Sequence, residues 1–579
     1  MNFLPTSIAQ GRAYYKNFQA FDVIFVTGDP YYDHPLSGMA MLSRLLDRKG
    51  YKVGIIPQPE TEEEFKACGT PKYFFCITSG LLDSMLANYT PMLKQRENVL
   101  VPERALMVYT QKIKQFHKGA ITIIGGVEAT IRRFTHFDYK ENKLRRGILN
   151  DTKAELLCFG NAERSLLELL ERMKTLEKPI SFQKARASLD LPSIEGVSFL
   201  IKKDEIPKEM RQLPSYEECV ADKDKFNLLT RVQYLLPDDA FIEPCGLGFT
   251  QHNRQSHTLT EAEMDFIYAS PFTRELHPHS KNFAFNQGMV GRLETSVVIG
   301  RGCWGSCSFC VIPLVQGKEV AKRSKESILK EMETLYKGGS MKINDLTLPT
   351  LNMYGSSCAL YSEKQQMRSP IIDKEITVHN KIKHCNQQCV GCKYRVLSDD
   401  LFPLLEGVEK LQTKYKGAEL ELRSALRHDI ILDQKKLFRK VMQFITRLKI
   451  APEHISDRVL KQMNKADGQA FKDFLKEFRQ VNREQGTDKR LVPYFVVAHP
   501  GSTMDDMEVL KKFCKDEDIY VNLTQVFTPT PGTLSTAMYY TGKNPMTKEE
   551  VYVPRSFREK KDQKNVIMSK NDDFSDENG

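Results

Sequence analysis

The chain has 579 residues, 41% of them hydrophobic and 27% charged, with a formal net charge of +10. That length suits about three or four domains, and the balance is that of an ordinary globular protein. No apolar run is long enough to span a bilayer, and the opening MNFLPTSIAQGRAYYKNF lacks the basic-then-apolar layout of a signal peptide.

From Phe21 the sequence FDVIFVTGDP reads as an apolar strand ending at Gly28 and Asp29. A helix over 38–49 and a strand over 52–56 follow. AITIIGG ends at Gly125-Gly126, and AELLCFG ends at Gly160 before a helix over 162–174. Strands that end in glycine and feed helices predict a parallel, Rossmann-like sheet over residues 1–180, with ligands expected at the carboxyl ends of its strands. Gly125-Gly126 lacks the rest of a dinucleotide fingerprint. Asp33-His34-Pro35-Leu36-Ser37-Gly38 is similar to a base-off cobalamin loop, but its spacing is wrong. Turn chemistry explains both better.

Residues 181–290 are irregular, with prolines scattered through them, and read as a linker with short elements. Of the four histidines there, only His277, beside Pro278 and close to the segment that follows, carries a functional flag.

From Thr295 the alternation is regular. Strands are expected over 295–299, 342–348, 419–426, 448–452, 493–498 and 520–526, with helices over 324–336, 401–414, 434–444, 456–463, 469–484 and 504–515. Six such repeats predict a partial (β/α)6 barrel over 291–528, short of the eight-unit closed form. Residues 353–395 form a cysteine-rich insertion in it. After it comes a C-terminal extension over 529–579, whose last part, from about Arg555, is polar enough to predict a mobile tail.

Directly after the first barrel strand stands IGRGCWGSCSFC, with Cys303, Cys307 and Cys310 spaced x3 and x2 and Phe309 before the last. Three thiolates on one loop can hold three irons of a cubane and leave the fourth open. The spacing resembles the cluster motif of radical S-adenosylmethionine (SAM) enzymes. Barrel enzymes build their sites at the carboxyl ends of the strands. Asn344-Asp345 lie in the second strand, and Arg427, Glu453-His454, His499 and Phe527-Thr528 follow the third to sixth strands, so polar residues collect at the same mouth as the cysteines.

The segments FDVIFVTGDPYYDHP, IIGGVEATIRRFTHFDY, EMDFIYASPFTRELHP, RGCWGSCSFC, QGKEVAKRSKESIL, LNMYG, LKIAPEHISDRVL, YFVVAHPGST and TPTPGTLSTAMYYTG are collinear with, and together resemble, the YgiQ-like radical SAM family. The resemblance covers nearly the whole chain. It implies an N-terminal cobalamin-domain-like region, a radical SAM partial barrel and a small extension beginning near TPTPGTLST. It also implies that Cys303, Cys307 and Cys310 hold a 4Fe–4S cluster that chelates SAM. An external electron donor such as flavodoxin or ferredoxin would let SAM be cleaved to methionine and a 5′-deoxyadenosyl radical, which abstracts hydrogen from a substrate the sequence does not identify. Arg427 is a candidate for the SAM carboxylate or ribose, with an ordinary ion pair as the alternative. Glu453 and His499 are further cofactor-binding candidates, against helix capping and a structural turn. One departure stands out. Where the family has Gly-Gly-Pro-Thr, this chain reads Thr347-Leu348-Pro349-Thr350, which could crowd SAM.

Thirteen cysteines is an odd number, and those between Cys303 and Cys392 are clustered, which points to metal and a cytoplasmic setting. Cys358, Cys385, Cys389 and Cys392 form a second candidate metal set, for an auxiliary iron–sulfur cluster or zinc. The remaining cysteines read as isolated core or surface residues. The net charge permits a nucleic-acid partner without demanding one. Two other functions compete: a non-catalytic iron–sulfur or zinc protein, RNA-associated in one version, and an RNA methyl- or methylthiotransferase.

Overall fold

The run Val23–Thr27 forms strand β1, buried along its whole length, in a computed structural model that describes residues 2–176, 182–208, 210–291, 293–359, 389–521 and 523–568. The next strands are β2 (Val53–Pro57), β3 (Phe74–Thr78) and β4 (Thr122–Gly125). A small hairpin, β5 (His136–Asp138) with β6 (Lys143–Arg145), precedes β7 (Leu156–Cys158). Strands β2, β1, β3, β4 and β7 lie side by side and parallel. This is a doubly wound order in which the chain reverses direction between β1 and β3.

The sheet does not stop there. Strands β8 (Val197–Ile201), β9 (Arg211–Gln212), β10 (Phe241–Cys245) and β11 (Gly248–His252) extend it to nine strands in the order β2-β1-β3-β4-β7-β8-β11-β10-β9. The expectation of a linker over 181–290 is therefore corrected. Pro244 misled the reading, because a proline inside a run argues against a strand. Here β9 pairs only with Phe241 and Ile242, so Pro244 has an open edge on that side and needs no N–H there.

The described residues that follow hold eleven further strands: β12 (Val297–Val298), β13 (Gly300–Arg301), β14 (Ala321–Lys322), β15 (Lys342–Ile343), β16 (Leu346–Thr347), β17 (Ser357–Cys358), β18 (Arg395–Val396), β19 (Glu419–Leu420), β20 (Arg447–Glu453), β21 (Arg490–Val497) and β22 (Leu523–Val526), of which β13 with β14 and β17 with β18 form separate antiparallel pairs. Parallel pairing runs in chain order, β12 to β16, β15 to β19, Leu426 to Ile450 of β20, then β20, β21 and β22. That is an open barrel of six staves. The expected second strand is cut at Asp345, whose carboxylate accepts from Arg423 N at 2.8 Å, Ser424 N at 3.0 Å and Ser424 Oγ at 2.6 Å. Helices Lys325–Lys337, Leu401–Lys414, Lys435–Met442, Gly468–Gln485 and Met504–Asp516 cover the outside. They close a core that holds Val297, Ile299, Leu346, Leu348, Ile450, Phe495 and Val526.

The predicted mobile tail is corrected over its first part, while residues 569–579 lie outside the described residues. Phe557–Ile567 is a helix that packs on Met504–Asp516. Its Gln563 is fully buried, donating to Ser502 O at 2.9 Å and accepting from Ala498 N at 2.8 Å. Composition underrated this segment because its anchor is a satisfied polar side chain instead of apolar mass. No described helix is long and apolar enough to cross a membrane.

A polar clamp joins sheet and barrel. Arg274 donates to Glu294 O at 2.9 Å and Ser296 O at 3.0 Å and pairs with Glu331. His34 lies 3.1 Å from Glu294 O and stacks on Tyr32. Arg301 pairs with Glu163 and donates to Tyr268 Oη at 2.7 Å. Burial, followed by Arg274 for His34 and by Arg132 for His136, pushes both imidazoles down to about 3. Their folded pKa values lie below the unfolded ones, so the neutral rings favour folding fully above the ordinary histidine range. That stability is lost as pH falls from there toward 3. We expect the unfolding free energy from anaerobic urea titrations to drop between about pH 6.5 and 5, by on the order of 2 kcal/mol per ring. Substituting His34 with Gln should flatten the profile, and an unchanged slope would refute the assignment.

Candidate metal centre

The cysteine loop is set by its backbone. Gly302 has φ +91°, and a Cβ there would stand 1.8 Å from Glu319 O. A side chain cannot fit, so Gly302→Ala is expected to cost more than about 2 kcal/mol through strain and clash. It should also lower bound iron after reconstitution, and full iron loading in that variant would show that the turn is dispensable. Beyond Gly302, Cys303 N donates to Gly317 O at 3.2 Å and Cys310 N to Cys307 O at 3.1 Å. Ser306, at φ +51°, directs its carbonyl to Tyr234 Oη at 3.0 Å and Asn464 Nδ2 at 2.7 Å. Ser308 N donates to Met463 O at 2.9 Å, and Ser535 N donates to Ser308 O at 2.9 Å. The loop is thereby tied to a helix end of the barrel, to the 223–235 helix and to the C-terminal extension.

The three thiols keep partial solvent contact. Burial and then the neighbouring Cys307 raise Cys303, and the same two causes push Cys310 up to about 12. Two raised thiols on one short loop ionise together only around a positive centre. Among the described residues no three His, Cys, Asp or Glu side chains converge as a single bound ion requires. A cubane binds its cysteines through separate irons, so a cluster does not require the side chains to converge on one point.

Arg427 stands at this centre. Its Nη1 lies 3.4 Å from Cys307 Sγ, while Nε and Nη2 grip Asp429 at 3.0 and 2.7 Å, both side chains almost wholly buried. The ion-pair reading is the one the geometry supports. The guanidinium fork is taken by Asp429, and the third nitrogen offers positive charge to the thiols. Asp429, two positions on, carried no signal in the sequence. Thr350 Oγ1 approaches Cys303 Sγ at 3.6 Å, and Met353 Sδ stands 3.8 Å from the same sulfur. In the altered segment, Leu348 is buried in the barrel core and Thr347 O accepts from Ile299 N at 3.1 Å. Leu348 is therefore packed in the barrel core beside Gly300.

Glu453 ends β20 at φ +69°, buried, with its carboxyl raised by burial against the opposing pull of Lys465 and Arg427. His454 Nδ1 accepts from Ser456 N at 3.0 Å, just ahead of the helix Asp457–Met463. His499 is fully buried, bonded to Ser535 Oγ at 2.6 Å and Pro500 O at 2.7 Å, with its ring edge-on to Phe309 and Phe527. It braces the cysteine loop from behind and lies within its packing. His277 stacks on Tyr31 and meets Phe3 edge-on, a packing role.

Of the second set, Cys385 lies outside the described residues. Cys358 in β17 pairs opposite Arg395 of β18, and Cys392 N donates to Cys389 O at 3.2 Å. Ser306 Oγ lies 3.8 Å from Cys389 Sγ, so the insertion touches the first loop. Nothing in the spacing foretold that contact.

Beside Phe309 opens a cavity of about 280 Å³ between residues 86–96 of the sheet domain and the carboxyl ends of β21 and β22. Tyr89, Arg96, Phe309, Gln525, Phe527 and Thr528 are among its walls.

Residues 3–287 match the family described as Radical SAM N-terminal, and residues 522–574 match a domain of unknown function, DUF3362. A UPF0313 protein of Methanocaldococcus jannaschii is 35% identical over 593 residues, 98% of this chain and 92% of the relative. One of Geobacter sulfurreducens is 35% identical over 596 residues, with the same coverage. The fold is similar to that of the radical SAM methyltransferase TsrM of Kitasatospora setae, solved with cobalamin and a 4Fe–4S cluster bound. The TM-score is 0.50 at 12% identity, over 89% of this chain and 77% of the other.

Proposed function

The chain belongs to the UPF0313, or YgiQ-like, family of radical SAM proteins, and from that premise we propose that it is an enzyme that reductively cleaves SAM, with Cys303, Cys307 and Cys310 as its cluster ligands. The observation that carries the reading is the loop itself: three thiols on one short loop, shaped by Gly302 and Ser306, with the buried cation of Arg427 against Cys307. When bound, a 4Fe–4S cluster supplies the electron that splits the sulfonium of SAM to methionine and a 5′-deoxyadenosyl radical.

The chain's own residues prepare that chemistry. Arg427 offsets the negative charge of the thiolates, and Asp429 fixes its orientation. Leu348 is turned into the core and Thr347 O is held by Ile299 N, which fixes the strand that leads to Thr350 beside Cys303. His499 stays neutral, pushed down to about 3 by burial, and carries no charge that would repel a sulfonium. Phe309 and Phe527 keep water from one side. An external donor such as flavodoxin or ferredoxin supplies the electron, and the cytoplasm is the compartment that suits such a site. Cys358, Cys385, Cys389 and Cys392 hold a second metal, iron–sulfur or zinc.

Cobalamin does not fit as well. His34 is fully buried and committed to Glu294 O, Arg274 and the amide of Leu36, so its ring is not free to bind cobalt. At the β1–β3 switch point, where such sheets take ligands, a Cβ on Gly28 would meet Ser79 O at 2.3 Å and Val101 at 2.5 Å. Asp29 fills the gap beside it, accepting from Leu81 N at 2.7 Å. No step here is routed through a corrin.

The test is anaerobic reconstitution with iron and sulfide, reduction, and quantification of methionine and 5′-deoxyadenosine formed from added SAM. Wild-type protein should form both in equal amounts and Cys307→Ala neither. Equal yields from the two proteins would defeat the enzyme reading.

A further inference from the structure

We propose that the cavity between the sheet domain and the barrel mouth is the substrate site, and that it takes a small, flat, apolar molecule ending in a carboxylate. The inference rests on the radical SAM reading for the word substrate, though not for the binding itself.

Position comes first. Phe309 directly precedes Cys310, so one wall of the cavity belongs to the cysteine loop. Val496, Gln525 and Phe527 bring in the carboxyl ends of two barrel strands, where barrel sites are built. The opposite wall, Leu86 to Arg96, comes from the other domain. Neither domain alone makes the site.

Shape and chemistry come next. About 280 Å³ lies at the lower edge of small-molecule sites, which run to roughly 300–1,000 Å³. At about 30 Å³ per water it displaces some nine waters, room for a body of about a dozen non-hydrogen atoms. Three rings line it. Phe527 is almost fully buried and braced edge-on by His499. The Tyr89 hydroxyl is engaged by Glu103 and Lys140, so its ring is what remains to meet a ligand. Such walls favour a flat apolar body packed edge-to-face or offset.

The anionic end follows from Arg96. It is the only charged residue among the lining side chains, and no described acidic residue forms an ion pair with it. A guanidinium presents a planar fork that matches a carboxylate. Gln525, exposed on the same wall, adds an amide donor.

The experiment is calorimetric titration of reconstituted full-length protein with three probes of one shape: 3-phenylpropanoate, 3-phenylpropanamide and 3-phenylpropylamine. We expect the carboxylate to bind about tenfold tighter than the amide, a difference of about 1.4 kcal/mol, and the amine not at all. Arg96→Gln should bring carboxylate and amide within about twofold, and Leu86→Trp, which fills the cavity, should abolish binding of both. Circular dichroism confirms that each variant is folded. Failure of 3-phenylpropanoate to bind, an undiminished preference in Arg96→Gln, or retained binding in Leu86→Trp each overturns the proposal. Formation of 5′-deoxyadenosine by the wild-type protein is measured on the same preparation. Probe binding without SAM cleavage would remove the radical SAM reading and leave the cavity assignment standing. SAM cleavage without probe binding would do the reverse.

Discussion

Single substitution of Cys303, Cys307 or Cys310 with alanine is expected to remove about four irons and four sulfides per chain from anaerobically reconstituted protein. It should also reduce 5′-deoxyadenosine formation by more than about 100-fold, because losing groups that merely support a metal ligand already costs about 10–100-fold. The three variants should fail alike, since two thiolates on this loop leave a second corner of a cubane unheld. Cys514→Ala supplies the control. That thiol is buried against the barrel core, where burial pushes it up to about 12, and its loss should leave iron content unchanged. A Cys303 or Cys310 variant that kept the wild-type iron and sulfide would remove that residue from the ligand set.

Arg427→Met is expected to cost about 3–5 kcal/mol, because it leaves the Asp429 carboxylate buried without its cation. The effect is large for the same reason that the native pair is quiet. Desolvation works against both charges, and the Arg427 guanidinium, with smaller help from His428 and Lys465, holds Asp429 well below the usual carboxylate range. The folded pKa of Asp429 is depressed, so the stability it contributes is complete above the ordinary carboxylate range and is lost only in strong acid. Asp429→Asn should cost a comparable amount, whereas Arg427→Met combined with Asp429→Leu should recover most of the loss. Because Arg427 Nη1 lies against Cys307, the double variant should regain stability yet still load iron poorly. Trp304, the chain's single tryptophan, sits in the cysteine loop and reports urea unfolding there directly. Additive losses in the double variant would show that the two side chains do not act as a pair.

Strands rich in apolar residues were legible because their pattern is local. FDVIFVT and AITIIGG could only be buried parallel strands, and the regular spacing from Thr295 announced six staves. The four added strands of the first sheet were not legible, because β8 to β11 are separated by turn residues and in one case contain a proline. Only the neighbouring strands decide which of their edges need hydrogen bonds. The C-terminal helix was missed because its anchor, Gln563, is polar, and polarity counts as disorder until a partner is seen. The cysteine trio was read from spacing alone, since its function needs three thiols on one loop.

Around that trio the sequence offered names without relations. Arg427 was picked out for its charge, but its partner Asp429, its contact with Cys307 and the closeness of Cys389 to Ser306 arise where separate segments converge. Leu348 shows the same limit. Its identity suggested a crowded cofactor, and the register of the second stave turned it into the core. The cavity between Tyr89 and Phe527 has walls more than 400 positions apart in the chain. Residue order determined which side chains were available and which stretches became strands and helices, because backbone pairing and amphipathic period act over a few neighbours. Docking one domain on the other decided what those side chains face, because desolvation and charge pairing depend on distance in space.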